Sequence, residues 1–224
     1  LIGNNLKIEN KYPFKEYNNV DEKIKGFKDA RTVGWAFKKL LASGKKCFNH
    51  DEGAAYVRND MEKRRIACVP EGKSIRYERD EKKYLPKALW FDHDWKEIDE
   101  KRFREAKFAR LDRSKPSPTI VTGRTMYYHP TKNRYLTPRE AAAIQSFPAN
   151  FEFKGSVASQ WTQIGNAVPP LMAEKIGGCI IKMIKNKKNK LKKISKTDID
   201  LVRSVAFNYE KDVSHQKEQL RFSF

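Results

Sequence analysis

The order of helix starts and stops between Arg134 and Pro170 constrains the fold of this 224-residue chain more than any other feature. The stretch reads RYLTPREAAAIQSFPANFEFKGSVASQWTQIGNAVPP. Thr137 is an N-cap, Pro138 occupies the first helical position, and Glu140, three after the cap, closes a capping box. Ala141, Ile144 and Gln145 share a face, and Pro148 stops the helix. Ser156 caps a second helix running through Gln163, and Gly165 terminates it. Pro169 and Pro170 open a third, with Leu171, Ile176, Ile180 and Ile184 on its apolar side. Gly177 and Gly178 each lower helix propensity there by about 1 kcal/mol relative to Ala, which suits close approach of that helix to another element.

So exact a block sits in a strongly basic chain. Lys and Arg number 47 against 28 Asp and Glu, a formal net charge of +19. That imbalance resists compaction unless the charge lies on one face or meets a polyanion. Nucleic acid is the expected partner, with an anionic membrane surface as the alternative. The hydrophobic fraction of 39%, with 12% aromatics, supports a real core and excludes wholesale disorder. No apolar run approaches the roughly 18 residues that a bilayer span needs. Cys47, Cys68 and Cys179 match neither C-x-x-C nor zinc spacing, which predicts structural thiols in a reducing, cytoplasmic compartment and no metal site. Asp92, His93 and Asp94 in KALWFDHDW are adjacent residues whose side chains diverge, so a solvated loop anchored by aromatics is expected there.

The chain is read as four segments. Residues 1–44 begin with the strand-like LIGNN, as a chain starting mid-domain would. They end in TVGWAFKKLLASG, a helix capped by Thr32 with Val33, Phe37, Leu40 and Leu41 on one face and Gly44 at its end. Residues 45–128 form a small, loop-rich module in which RRIACVP and TIVT read as short strands and Pro116 and Pro118 hold SKPSP extended. GRTMYYH is basic and aromatic and suits a binding surface. Residues 129–186 carry the helices above, and residues 187–224 are a Lys-rich extension, read as a solvated tail.

RYLTPREAAAIQSFP and QIGNAVPP resemble the last two motifs of the DNA cytosine-5 methyltransferases, the first following the pattern R-x-L-T-x-R-E…Q-x-F-P. ARLDRSKPSPTIVTG and HPTKNRYLT resemble the segment where that family's target-recognition domain returns to the catalytic domain. LIGN is similar to the tail of the eighth motif, and ARTVGWAFKKL to the helix after it. The resemblance spans nearly all of residues 1–185. It implies a mixed α/β fold: a small β recognition domain plus C-terminal helices that complete a Rossmann-like domain using S-adenosylmethionine. The family's Gly-rich cofactor loop has no counterpart, since the chain contains no G-x-G. Nor do its P-C-Q nucleophile and the glutamate of its E-N-V motif. Cytosine C5 becomes nucleophilic only after a thiolate adds at C6, on a base taken out of the stack. The resemblance therefore implies no catalytic residue in this sequence, and a recognising and closing role as a fragment or as a subunit of a split enzyme.

By the same resemblance, Asn166, Ala167 and Val168 meet the amino-acid end of the cofactor. Thr119 holds a phosphate beside the extruded base, and Arg139 organises loop backbone or a carboxylate first and contacts DNA second. Arg110, Arg113 and Arg124 flank the recognition loops as candidates for base or phosphate contact, and Lys107 and Lys115 for phosphate neutralisation. Double-stranded DNA and an N-terminal catalytic part, in cis or separate, are the implied partners. The implied setting is a prokaryotic, nucleoid-associated restriction–modification system. A non-catalytic DNA-binding module remains the alternative, and a membrane- or RNA-associated protein leaves both motif blocks unexplained.

Overall fold

Thr32 starts the first helix as its position predicts, its hydroxyl accepting from the Trp35 amide at 3.1 Å. This is α1, Val33–Leu41. In the computed structural model, residues 11–14, 16–18, 24–41, 47–98, 108–123, 125 and 127–185 are described. LIGN, Gly44, the Lys-rich extension, Lys107 and Arg124 lie outside them. The chain divides into one unit of Phe14–Lys175 and another joining Leu1–Pro13 to Ile176–Phe224.

Val33, Ala36 and Leu40 form the buried face of α1, whereas Leu41 is 76% exposed. The sequence placed Leu41 inside; Ala36, three after Val33 and four before Leu40, takes the inward position instead. Helix α4, Pro138–Ile144, carries the expected capping box: the Glu140 amide donates to the Thr137 hydroxyl at 3.1 Å and the Thr137 amide to the Glu140 carboxylate at 2.9 Å. The helix ends before Pro148, because Ser146 adopts a left-handed φ of 67° and the amides of Ser146 and Phe147 turn back to the carbonyls of Ala143 and Ala142. Ser156 caps α5, Val157–Asn166, through the Ser159 amide at 3.2 Å. Leu111, Ile120, Leu136, Ala141, Ala142, Phe153, Trp161 and Ile164 complete the core around Val33.

Between Cys47 and Glu97 the chain is more helical than its composition suggests. RRIACVP is not a strand; it lies largely in α2, Asp60–Cys68, started by the Asn59 side chain accepting from the Glu62 amide at 2.9 Å. Helix α3 spans Glu78–Tyr84, begun by Asp80 accepting from the amides of Arg76 and Tyr77. Short 3-10 turns occupy Gly53–Ala55 and Lys87–Leu89. A second core gathers Ile66, Val69, Ile75, Leu85, Leu89, Tyr128 and Tyr135. The hydroxyls of Tyr128 and Tyr135 both donate to Glu62, with the rings stacked 4.8 Å apart. GRTMYYH therefore does not present a surface of aromatics: Tyr128 and His129 are buried. In KALWFDHDW, Asp92 and Asp94 are exposed while Trp95 is buried and its indole donates to Glu81 at 2.7 Å, an anchored loop as expected.

The expected small β domain does not form among the described residues. Only isolated bridges occur, such as Arg110 with Tyr128 and Tyr128 with Tyr135. TIVT forms no ladder, because the end of α5, rather than a strand, lies against Val121 and Thr122.

Helix α6, Pro170–Lys185, opens at the second of the two prolines. In the unit containing Ile176 onward, Met183 is buried and its sulfur accepts from the Lys11 amide at 3.2 Å. Ile180, Ile181 and Ile184 are exposed there. A Cβ on Gly177 or Gly178 would meet no described atom within 4 Å. Among the described residues a close backbone approach occurs at Gly165. None of the described helices is long and apolar enough to cross a membrane.

Candidate functional site

A strap of irregular chain, residues 110–122, turning at Arg113–Lys115, carries most of the candidate DNA contacts. Without a ladder it is held by single bonds from several elements. The Arg110 amide donates to the Lys73 carbonyl at 2.9 Å and the Leu111 amide to Tyr128 at 3.2 Å. The first turn of α1 then grips it: the amides of Val33 and Gly34 donate to the carbonyls of Lys115 and Arg113 at 2.9 and 3.0 Å. A Cβ on Gly34 would stand 2.8 Å from that Arg113 oxygen, so only glycine permits the contact. At the far end, a Cβ on Gly165 would lie 2.5 Å from the Thr122 nitrogen and 2.6 Å from the Val121 carbonyl carbon. Gly165 sits in the last turn of α5, which continues to Asn166 and ends at Ala167. The sequence assigned it to termination; its missing side chain brings α5 onto the strap.

The strap's side chains fall into two groups. Arg110 is 7% exposed, and its guanidinium donates to the carbonyls of Val69, Ile66, His129 and Lys132 and to the Asn133 side chain, at 2.7–3.0 Å. Burial pushes this guanidinium below the ordinary arginine value. Every nitrogen is engaged inside the protein, so Arg110 holds loops together and does not face DNA. Arg113 is exposed, with its guanidinium on Glu71 at 2.9 and 3.0 Å; hydrogen bonding from Arg113 holds that carboxyl below its usual range. Lys115 is exposed, its ammonium 3.8 Å from Asp112. Thr119 is exposed, its carbonyl accepting from the Tyr127 hydroxyl at 3.5 Å.

Thr119 and Ala167 line one cleft of about 430 Å³, together with Thr32, Trp35, Pro118 and Gly165. The structure thus brings the candidate phosphate-holding threonine and the candidate cofactor turn to the same opening. Asn166 is exposed, Ala167 half-buried and Val168 58% exposed. Ala167 donates its amide to the Ile164 carbonyl at 3.3 Å, which folds the turn over the end of α5. An open turn with unburied side chains is compatible with a ligand seated against it.

Arg139 is not part of that opening. It is wholly buried, and its guanidinium donates to the carbonyls of Phe48 and Pro148, at 2.8 and 2.9 Å, and of Phe151. Its guanidinium ties the backbone of three loop positions together and is closed off from the surface. Asn49 reinforces the same loops: its side-chain nitrogen donates to the Phe153 carbonyl and its side-chain oxygen accepts from the Phe153 amide, both at 2.9 Å.

Arg134 was not singled out in the sequence, although it is the first residue of the R-x-L-T-x-R-E pattern. It is fully buried and pairs with both Glu140 oxygens at 2.8 and 2.7 Å, and with Glu52 at 3.3 Å. Burial alone would raise the Glu140 carboxyl; Arg134 and the Thr137 amide outweigh it and hold the group below its usual range. His129 stacks on Phe37, and its Nδ1 accepts from the amides of Thr131 and Lys132 at 3.2 and 3.0 Å. Burial pushes its pKa down to about 4. Ligand atoms of His50, Glu52 and Glu140 lie within 4.8 Å of one another. Both carboxylates already face Arg134, and Glu52 also holds Lys132 at 2.6 Å, so the group is an ion-pair network supporting α4.

A buried motif helix, an exposed turn after α5 and a cation-bearing strap around one cleft define the class: the sequence blocks that form them are those of DNA-modifying methyltransferases. Residues 4–182 match the C-5 cytosine-specific DNA methylase family, and the chain belongs to it. It is 44% identical over 80 residues to Type II methyltransferase M1.HphI of Haemophilus parahaemolyticus, covering 36% of this chain and 22% of that protein. It is 39% identical over 85 residues to Type II methyltransferase M.AquIB of Picosynechococcus, covering 33% of this chain and 61% of that one. DNA (cytosine-5)-methyltransferase 1B of Oryza sativa subsp. japonica is 39% identical over 99 residues, 42% of this chain and 6% of the rice protein. The chain thus spans under two thirds of each of these relatives. The family's methyl donor is S-adenosyl-L-methionine.

Proposed function

We propose that this chain is the DNA-recognition and domain-closing part of a DNA (cytosine-5-)-methyltransferase of a prokaryotic restriction–modification system. The whole enzyme would methylate C5 of a flipped cytosine in a specific duplex site. The observation that carries the proposal is the shared cleft, lined by Thr119 of the strap and Ala167 of the turn. Lys115 and Thr119 face the DNA backbone from the strap. Arg113 reaches a base or phosphate on leaving Glu71. Lys107 and Arg124, outside the described residues, extend the same role.

The open turn fits the amino-acid end of S-adenosylmethionine, with Asn166, Ala167 and Val168 closing over it. Bound there, the cofactor supplies the methyl group, and this chain positions and shields it. The covalent step needs a thiolate in a P-C-Q setting. Cys47 follows Lys46, Cys68 lies between Ala67 and Val69, and Cys179 between Gly178 and Ile180. The nucleophile, the Gly-rich loop and the assisting glutamate therefore come from a catalytic part, in cis or as a separate chain, completed into a Rossmann-like domain by the C-terminal helices. The exposed Ile180, Ile181 and Ile184 of α6 support a docking role for that helix.

The test mixes this chain with a polypeptide bearing the Gly-rich loop and P-C-Q, and measures transfer of labelled methyl to duplex DNA. Transfer in the mixture and in neither component alone is expected. Duplex binding without transfer in any such mixture turns the assignment into a non-catalytic DNA-binding module.

A further inference from the structure

The outward face of α1 carries cations and aromatic rings that no role above uses. The Arg31 guanidinium carbon lies 4.8 Å from the Tyr17 ring centre and 4.7 Å from that of Trp35, and an Arg31 nitrogen donates to the Tyr17 hydroxyl. One helical turn after Trp35, the Lys39 ammonium stands 5.3 Å from the same indole. Trp35 is 40% exposed, and Lys38 and Lys39 are exposed beside it. Helix α1 contains no acidic residue. Among the described residues, no carboxylate lies within ion-pair distance of Arg31, Lys38 or Lys39; Glu16 pairs with Lys28 and Lys175 and feels Arg31 only at longer range.

A tryptophan kept at the surface exposes apolar area that folding would otherwise bury. What it does here is hold two long cationic side chains in place. Each exposed cation–π contact is worth about 0.5–1 kcal/mol. Side chains ordered in advance lose less freedom when they meet a ligand, and the planar guanidinium fork matches a phosphate. The ridge is also continuous with the strap: Val33 and Gly34 bond the Lys115 and Arg113 carbonyls, and Arg31 and Trp35 line the same cleft as Thr119.

We propose that Arg31, Trp35 and Lys39 form a second DNA contact, a ridge that grips the sugar–phosphate backbone flanking the sequence met by the strap. Arg31 and Lys39 each neutralise a phosphate, and the Trp35 edge packs on the intervening sugar. This rests on the DNA-binding part of the function proposed above.

The test is a titration of the full chain against a 30-base-pair mixed-sequence duplex by fluorescence anisotropy, across a range of salt. For each phosphate contact removed, the slope of log K against log salt becomes shallower by about 1. Arg31→Ala and Lys39→Ala should each lose about one unit of slope, and the double variant about two. Trp35→Ala should weaken binding with the slope nearly retained. Arg31→Lys should keep the slope and lose affinity. Lys154→Ala, removing an exposed cation that already pairs with Glu152 and is no part of the ridge, should change neither. Near-ultraviolet circular dichroism checks that each variant is folded. If the wild type binds and the folded double variant keeps its slope, the ridge is refuted while the recognition role survives. If the wild type does not bind duplex at all, that role fails and the ridge with it.

Discussion

Replacing Gly165 by alanine tests whether α5 and the strap are held as one piece. The added Cβ would meet the Thr122 nitrogen at 2.5 Å, the Val121 carbonyl carbon at 2.6 Å and the Thr122 Cα at 2.8 Å. Carbon atoms in good contact stand about 3.5–4.0 Å apart, so the backbones must separate by roughly 1 Å. All three obstacles are main-chain atoms, and no side-chain rotation relieves them. Overpacking of this kind costs about 1–3 kcal/mol, offset by up to about 1 kcal/mol of alanine's helix preference. The net expectation is a loss of about 1–2 kcal/mol. With a urea m-value of about 2 kcal/mol per M, the middle of the usual range, the unfolding midpoint falls by roughly 0.5–1 M. Urea titration followed by tryptophan fluorescence reads this directly, since Trp161 is 3% exposed within α5. Gly178→Ala is the matched control, because no described atom lies within 4 Å of its Cβ position, and it should not lower the midpoint. A Gly165→Ala midpoint at or above that of the wild type would refute the argument.

Two further outcomes follow from the buried charges. Arg134→Ala leaves the Glu140 carboxylate buried without its main partner, which costs about 3–5 kcal/mol; against a usual total of about 5–15 kcal/mol, soluble yield and helical signal should fall sharply. Stability should also fall as pH drops from about 6.5 to about 4, because His129 takes up a proton in the unfolded chain throughout that window and in the folded protein only near its lower end. The full effect is about 3 kcal/mol, and His129→Gln should flatten the denaturation midpoint against pH there.

The parts of the fold that were legible in the sequence depend on neighbours along the chain. Thr137, Pro138 and Glu140 specify the start of α4 from within four positions, and Ser156 does the same for α5. Helix α2 had a comparable signal in Asn59 and Glu62, hidden by a charged run that reads as loop. Helix α3 lacked one, because Tyr77 precedes it and the capping oxygen comes from Asp80 inside the first turn. The fate of the arginines was not legible at all. Arg110 is drawn inward by carbonyls at Ile66 and Val69, more than forty positions away, and no local pattern announces them. The glycines show the same limit. Gly177 and Gly178 have the composition of a close contact and no described atom within 4 Å, while Gly165 looks like a terminator and touches the strap backbone.

This division of the arginines bears on how so basic a chain folds. Arg110, Arg134 and Arg139 bury their guanidinium groups on carbonyls or carboxylates, so part of the positive charge stabilises the scaffold. The exposed cations are left on elements that this scaffold fixes: Lys115 on the strap, and Arg31 and Lys39 beside and on α1. Because the strap has no ladder of its own, its course beyond the bonds of Arg110 and Leu111 is fixed by the first turn of α1 at Arg113 and Lys115 and by the last turn of α5 at Val121 and Thr122. A displacement at either glycine contact therefore moves Thr119 relative to Ala167, whichever end is disturbed. Changes at Gly34 and Gly165, neither of which offers a side chain to DNA or cofactor, should then disturb both faces of the cleft together.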